Sequence, residues 1–402
     1  MSELLKGIRV IDLTQAYSGP FCTMHLADHG AEVIKIEAVN GGDQSRTWGP
    51  FKNNYSAYYA YINRNKKGMA LNLKEESGKA VLWDLIKEAD VICENFKVGT
   101  LEKWGFTYEK MKAVNPGIIY GSISGYGITG VDDIEKRPAY DIVAQAMSGI
   151  MSVTGHPQSP CVKIGPSIGD NYSGTYLALA ICMALYNRER TGKGSRLDIA
   201  MLDTLFSVME NFVVTYTVTG EIPQRMGNID PGIAPFDSFE TNDGELVLGC
   251  GTTRMWKGLC EAMGREELIE DPRFLTNEDR CKNYLPELKE IVTSWTRTKT
   301  AAELEAVLVE KGIPVATINN IKQVCEHPQI SHRRMLWELK DSGIGETIRV
   351  PGTPIKVQGS EDAPTKAAPL LGEDTRSVLE DLLGYTPQKV SALEQDGVIV
   401  TV

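Results

Sequence analysis

Five short runs rich in valine and isoleucine punctuate the first 125 residues: IRVIDL from Ile8, EVIKIE from Glu32, MALNL from Met69, DVICEN from Asp90 and GIIYGSIS from Gly117. Between several of them lie stretches with helical patterning, such as GPFCTMHLADHG and EESGKAVLWDLIKEA. A strand that is apolar at nearly every position has to be covered on both faces, and parallel neighbours need a crossover long enough to hold a helix. The pattern therefore predicts an α/β fold: an open, parallel, Rossmann-like sheet with helices on both sides.

The rest of the chain changes character. Helical patterning runs over 141–149 and 171–190, the turn TGKGS leads into a strand-like RLDIAM, and 203–225 read as helical. The Gly-, Pro- and Asp-rich GNIDPGIAPFDSF marks a boundary, and DGELVLGCG behind it reads as a hairpin edge. With 402 residues and roughly 150 per domain, a smaller α+β second domain is expected over about 225–330. The polar QGSEDAPTKAAP then precedes a final helix, DTRSVLEDLL.

A formal charge of −11, from 42 Lys+Arg against 53 Asp+Glu, argues against a nucleic-acid surface, which needs a concentrated positive field. It leaves room for an anionic small molecule, which needs only a local cluster of cations. Eight cysteines without a CxxC pair read as free thiols in a reducing compartment. No export signal is visible at MSELLKGIRVIDL, and the apolar run over 175–186 falls short of the about 20 residues that span a bilayer. A cytoplasmic protein without membrane contact is expected.

Several familiar motifs fail on context. Gly125-Tyr126-Gly127-Ile128-Thr129-Gly130 has the GxGxxG form, but the acidic VDDIEKRP follows where a dinucleotide site needs a helix N-terminus. Gly192-Lys193-Gly194-Ser195 resembles a P-loop tail, yet it follows a helix end and Gly192 reads as the stop. His25 and His29 stand four apart, a lone pair that is more often surface or packing than a metal site, so no metal is expected. In Gly121-Ser122-Ile123-Ser124-Gly125 the serines are out of register for a nucleophile elbow.

What remains is carboxylate chemistry. In Gly169-Asp170-Asn171-Tyr172-Ser173-Gly174, Asp170 stands where a loop meets the most apolar helix. The plain reading is a helix N-cap; a nucleophile is compatible with it, since a helix N-terminus orients a carboxylate and keeps it ionised. Asp141, in Arg137-Pro138-Ala139-Tyr140-Asp141, is a second candidate, or simply the start of a helix.

Ten segments in order, namely GIRVIDLTQAYSGP, GAEVIKIE, NRNKKGMALNLK, ADVICENFKVGTLEKWGF, SGYGITG, RPAYDIVAQAMSG, IGDNYSGTYLA, RTGKGSRLDIAMLD, DPRF and APLLGEDT, make the chain resemble the family III CoA-transferases, typified by formyl-CoA:oxalate and carnitine CoA-transferases. The resemblance implies that Asp170 is a catalytic nucleophile. It attacks an acyl-CoA thioester to form an aspartyl-acyl anhydride, which the released thiolate converts to an aspartyl-CoA thioester. Such covalent exchange between two carboxylates needs neither ATP nor a metal or redox cofactor. Coenzyme A enters as a cosubstrate and nothing is tightly bound.

The resemblance also implies CoA contacts at Tyr17 and Ser18, at Leu71, Asn72, Leu73 and Lys74, at Asn95, Phe96 and Lys97, and at Lys103. The cations for its phosphates are expected from Arg64-Asn65-Lys66-Lys67, Lys74, Lys97 and Lys103. Trp48, Tyr140 and Asp141 match places near the substrate, Asp141 as a shortened stand-in for a glutamate. Two departures bear on ligands. Ala38 replaces an arginine of the formyl-CoA enzymes, and Gly249-Cys250-Gly251-Thr252-Thr253 replaces their glycine-rich loop. Oxalate or formate specificity is therefore not carried over; the acid is expected to be carnitine-like, a hydroxy acid or a dicarboxylic acid.

The α-methylacyl-CoA racemases, of the same superfamily, are the main alternative, but Tyr140 occupies the place of their histidine base. A non-catalytic acyl-CoA-binding protein is the other, and the intact Asp170 speaks against it. Family members form intertwined homodimers. On that footing 1–202 with 355–402 are expected as the large CoA-binding domain, 203–224 as a linker, 225–330 as the small domain and 331–354 as the return linker.

Overall fold

The computed structural model describes residues 2–131, 133–340, 343–360, 363–364 and 366–402. The chain divides into two compact units, one of Met1–Ile150, Lys163–Val218 and Pro328–Val402, the other of Met151–Val162 and Thr219–His327. Among the described residues no helix is long and apolar enough to cross a membrane.

Strands of the first unit are β1 (Arg9–Asp12), β2 (Glu32–Glu37), β3 (Lys67–Leu71), β4 (Val91–Glu94), β5 (Ile119–Ser124) and β6 (Ser195–Ala200). The second unit contributes β7 (Phe236–Glu240), β8 (Glu245–Gly249) and β9 (Val315–Thr317). Back in the first come β10 (Leu336–Lys340), β11 (Thr347–Pro351) and β12 (Ile399–Val400). The large sheet has the order β12-β3-β2-β1-β4-β5-β6. Its first six strands in sequence run parallel, as the five apolar runs and RLDIAM predict. The C-terminal β12 joins antiparallel at the β3 edge, an addition the sequence pattern did not announce.

Alternate side chains of the parallel strands enter two separate cores. Ile11, Ile34, Ile92 and Tyr120 face one, with the C-terminal Val378, Leu379, Val390 and Leu393 packed over them. Val10, Val33, Val91 and Ile119 face the other, under Cys22 and Leu26 of α1 (Ser18–Asp28) and Leu177 and Ile181 of a long helix at Ile168–Thr191. Each such buried aliphatic contributes about 1.5–3 kcal/mol. A one-residue slip would exchange the two faces, so this double coverage fixes the register.

The stretch 331–354 carries the hairpin β10–β11, whose Trp337, Leu339 and Val350 pack with Tyr59 and Ala60. In the second unit, β9-β8-β7 form an antiparallel sheet, with Phe239, Leu246, Trp256, Phe274 and Leu304 in its core.

Candidate active site

From β1 the chain moves to β2 and β3 on one side, then crosses to β4, β5 and β6 on the other. The loops leaving the carboxyl ends of β1 and β4 therefore diverge, and such a switch point opens a crevice where open α/β sheets bind ligands. A cavity of about 780 Å³ lies there, walled by Gln15, Ala16, Tyr17 and Ser18 after β1, by Asn95, Phe96 and Lys97 after β4, and by Ser124 and Gly125 at the end of β5. Arg137, Tyr140, Asp141, Lys163, Ser167 and Asp170 close it.

Two helices start at this cavity: α2 (Asp141–Ser148) and α3 (Ile168–Thr191). Asp170 is not the cap of α3, as the plain sequence reading had it. Ser167 holds that place, and Asp170 is the third helical residue, where the unpaired amides and the helix dipole favour a carboxylate. It is half-buried, and burial, then the charge of Asp141, pushes its carboxyl up to about 7. Asp141 is buried at the first position of α2 and is stitched on both oxygens. Oδ1 accepts the Gly169 N–H at 2.7 Å, and Oδ2 accepts Gln145 Nε2 at 2.7 Å. Gln145 Oε1 in turn accepts the Ile164 N–H at 2.8 Å. Asp141 thus holds the amide of Gly169, the residue before Asp170, while its charge raises the proton affinity of Asp170.

The two glycines that frame the segment are there for space. A Cβ on Gly169 would lie 3.1 Å from Asp141 Oδ1 and 3.2 Å from Leu205. One on Gly174 would lie 2.6 Å from the Ser18 carbonyl oxygen, so only glycine lets α1 and α3 approach this closely.

Aromatic rings build a further wall. Tyr58 packs against Trp48 at 5.9 Å and against Tyr17 at 5.6 Å between centroids. The Tyr17 hydroxyl donates to Asn171 Oδ1 at 2.7 Å, next to Asp170. Burial above all, with Asp170 among the neighbours, pushes the Tyr17 and Tyr58 phenols up, so both remain hydrogen-bond donors at neutral pH.

Of the residues singled out in the sequence, Tyr17, Ser18, Trp48, Asn95, Phe96, Lys97, Tyr140, Asp141 and Asp170 meet at this cavity. Leu71, Asn72, Leu73, Lys74 and Lys103 are not among its lining residues. Leu71 pairs with Ile399 inside the sheet, Asn72 Oδ1 accepts the Lys74 N–H, and Lys103 is exposed on the short helix Thr100–Lys103.

The expected cation run needs correction. Arg64 is buried against Asp28 at 2.7 Å and Lys66 against Asp12 at 3.0 Å, while Lys67 pairs with Glu32 at 2.6 Å. These charges are consumed by the fold. The cations that do reach the cavity are Lys97, Arg137 and Lys163; sequence reasoning named Arg137 only as part of the RPAYD segment and not as a cation for the ligand, and it passed over Lys163 and Tyr58, which lie outside the segments that carry the resemblance. The GxGxxG loop begins no helix: a short 3-10 turn, Ile134–Lys136, comes next. Gly192 ends α3 in the left-handed conformation, its N–H on the Arg188 carbonyl at 2.7 Å.

The family model described as CoA-transferase family III matches residues 5–375. The acetyl-CoA:oxalate CoA-transferase of Acetobacter aceti is 39% identical over 369 residues, covering 91% of this chain and 92% of the relative. The succinyl-CoA:mesaconate CoA-transferase of Haloarcula hispanica is 38% identical over 384 residues, covering 94% and 96%. A crystal structure of a CAIB/BAIF family protein from Brucella suis superposes with a TM-score of 0.83 at 35% identity, covering 95% of this chain and 100% of that one.

Proposed function

The chain belongs to CoA-transferase family III, and from that premise we propose that Asp170 carries CoA from an acyl-CoA donor to a carboxylic acid acceptor. The observation that carries the reading is a basic, half-buried carboxylate at a helix start in the switch-point cavity. Among the described residues no hydrogen bond occupies its oxygens. Its oxygen attacks the thioester carbonyl, the C–S bond breaks, and an aspartyl-acyl anhydride forms with CoA thiolate. The thiolate attacks the aspartyl carbonyl, releasing the donor acid and leaving an aspartyl-CoA thioester. The acceptor carboxylate attacks that thioester, giving a second anhydride and thiolate again. Thiolate attack on the acceptor carbonyl yields the new acyl-CoA and restores Asp170. Each step exchanges one acyl–oxygen or acyl–sulfur bond for another, so no external energy source enters.

Lys97, Arg137 and Lys163 supply the positive charge for the phosphates of CoA, and the Tyr17 and Tyr58 hydroxyls line the reacting end. The similar oxalate and mesaconate enzymes act on dicarboxylic acids, and a short dicarboxylate is the acceptor we assign. We further propose a homodimer in the cytoplasm. Along α3, Tyr172, Tyr176, Leu179, Met183 and Tyr186 form an exposed stripe at helical spacing. Beside it in sequence, the helix Glu210–Thr219 has no buried residue and exposes Phe212, Val214, Tyr216 and Val218. Apolar surface on this scale is unusual on a monomer. A second copy covering it doubles the 44.2 kDa mass in light scattering; a single-chain mass overturns the dimer.

Incubation with an acyl-CoA followed by hydroxylamine is expected to leave a hydroxamate on the peptide containing Asp170. A hydroxamate elsewhere, or none on protein that transfers CoA, overturns the assignment. Deuterium exchange at the α-carbon of a 2-methylacyl-CoA, without acceptor acid, is expected to be undetectable; exchange that depends on Asp170 would favour the racemase reading instead.

A further inference from the structure

The turn after β1 is held far more tightly than a loop needs to be. Ala16 sits at φ +65°, a left-handed conformation that a residue with a Cβ adopts only when its surroundings impose it. The surroundings here are side chains from other loops. Asn95, just past β4, clasps the Gln15 peptide on both sides: its Oδ1 accepts the Gln15 N–H at 2.8 Å and its Nδ2 donates to the Gln15 carbonyl at 2.8 Å. The same Nδ2 reaches Ser18 Oγ at 3.2 Å. Asp43, just past β2, accepts the Ala16 N–H on Oδ1 at 3.1 Å. Its other oxygen pairs at 2.8 Å with the buried Lys35, which itself donates to the Thr14 carbonyl at 2.9 Å.

Both backbone polar groups of Gln15 are thus matched by an asparagine amide, which mimics a backbone peptide, and the Ala16 N–H that follows is matched by Asp43. The turn delivers Tyr17, whose hydroxyl bonds Asn171 beside Asp170. We infer that Asn95 and Asp43 are positioning residues: together they hold the strained Gln15–Ala16 turn so that Tyr17 stands against the helix start bearing the nucleophile. Asn95 acts through the loop it clamps, with its side-chain amide committed to Gln15. The inference rests on the CoA-transfer reading for its kinetic consequence but not for the clamp itself.

Asp43 also caps the turn Gln44–Thr47, so Asn95 is the cleaner probe. Hydrogen exchange on the wild-type protein is the first measurement. The Gln15 and Ala16 amides are expected to be protected although they lie outside any strand or helix, and free exchange at both overturns the clamp whatever the enzyme does. In Asn95→Ala the same amides exchange roughly tenfold faster or more, while those of β1 are unchanged. Its single-turnover acylation of Asp170, with CoA release as readout, falls roughly tenfold to a hundredfold.

The discriminating variant is Asn95→Ala with Ala16→Gly. Glycine takes the left-handed conformation without a Cβ clash, so the double variant regains several-fold of the lost acylation rate while its melting temperature stays at or below that of Asn95→Ala. No recovery, or recovery that merely tracks the melting temperature, assigns Asn95 a structural role and overturns the inference. A wild-type protein that turns over no acyl-CoA with any acid defeats the catalytic reading separately, leaving the exchange result to decide the clamp.

Discussion

Three carboxylates close to the cavity end in different states: Asp12 and Asp43, buried in the cluster beside the β1 turn, and Asp170, half-buried at the start of α3. Burial alone would push every such carboxyl up. At Asp12 it is outweighed by Lys66 and Lys35 and by the Thr14 and Thr23 hydroxyls, and the carboxyl is held below its ordinary value. At Asp43, Lys35 and the Ser45 bonds have the same effect. Among the described residues no ion pair holds Asp170; the charge acting on it is that of another carboxylate, Asp141, and burial together with that charge leaves it at about 7. What separates a structural aspartate from a reactive one here is therefore not depth but whether the fold provides a counter-ion.

The largest effect that could break this comparison is catalytic. Asp170→Asn removes the nucleophile and is expected to lower CoA transfer by about 10⁴-fold or more, with the protein still folded. Transfer that survives within tenfold would make Asp170 no different in kind from Asp12. The counterpart is Asp12→Ala, which leaves the buried Lys66 with only the Pro20 carbonyl and Asn63 Oδ1. Removing one partner of a buried ion pair costs about 3–5 kcal/mol, read as a drop in the urea midpoint. A loss under about 1 kcal/mol would show that the cluster is far more hydrated than its burial indicates.

The contrast also explains what the sequence could and could not reveal. Val- and Ile-rich runs at strand length leave little choice but a doubly covered parallel sheet, while the order of the strands within it, reversing at β1, is not written in the runs. The Gly169–Gly174 segment stood out through its Gly-Asp pair before an apolar helix and through the family resemblance, while the helix start itself was read three residues late, at 171 in place of Ile168. Charge assignment was not legible. Arg64, Lys66 and Lys97 are equally plausible phosphate ligands as letters, and only the fold shows that two of them neutralise Asp28 and Asp12. Arg137 and Lys163 reach the cavity through loops whose paths no local pattern encodes. The inclusion of Met151–Val162 in the second unit likewise depends on long-range packing.

A smaller effect tests the electrostatics of the reactive pair. The nucleophile is the ionised form, so transfer is expected to be present above about pH 7 and lost as the pH falls through that value. Asp141→Asn withdraws the like charge, and the midpoint then moves to lower pH. It remains above the ordinary carboxylate range, because burial is the larger cause. A midpoint that does not move would remove Asp141 from the account of Asp170.

The smallest effect is on stability, and it runs against activity. Asp170 titrates at about 7 when folded against 3.8 for an unperturbed aspartate. Below the lower value both states are protonated and the residue contributes nothing. Between the two the unfolded chain ionises while the folded one holds its proton, so stability falls as pH rises, and the deficit levels off above about 7. Each pKa unit corresponds to about 1.4 kcal/mol, but a half-buried group keeps only part of that, leaving about 1–2 kcal/mol. Asp170→Asn is therefore expected to be more stable than wild type at pH 8 and equal to it near pH 4. At Asp43, whose carboxyl is depressed in the fold, neutral replacement should instead destabilise the protein at pH 8. If both replacements shift the urea midpoint in the same direction, the counter-ion is not what distinguishes the two sites.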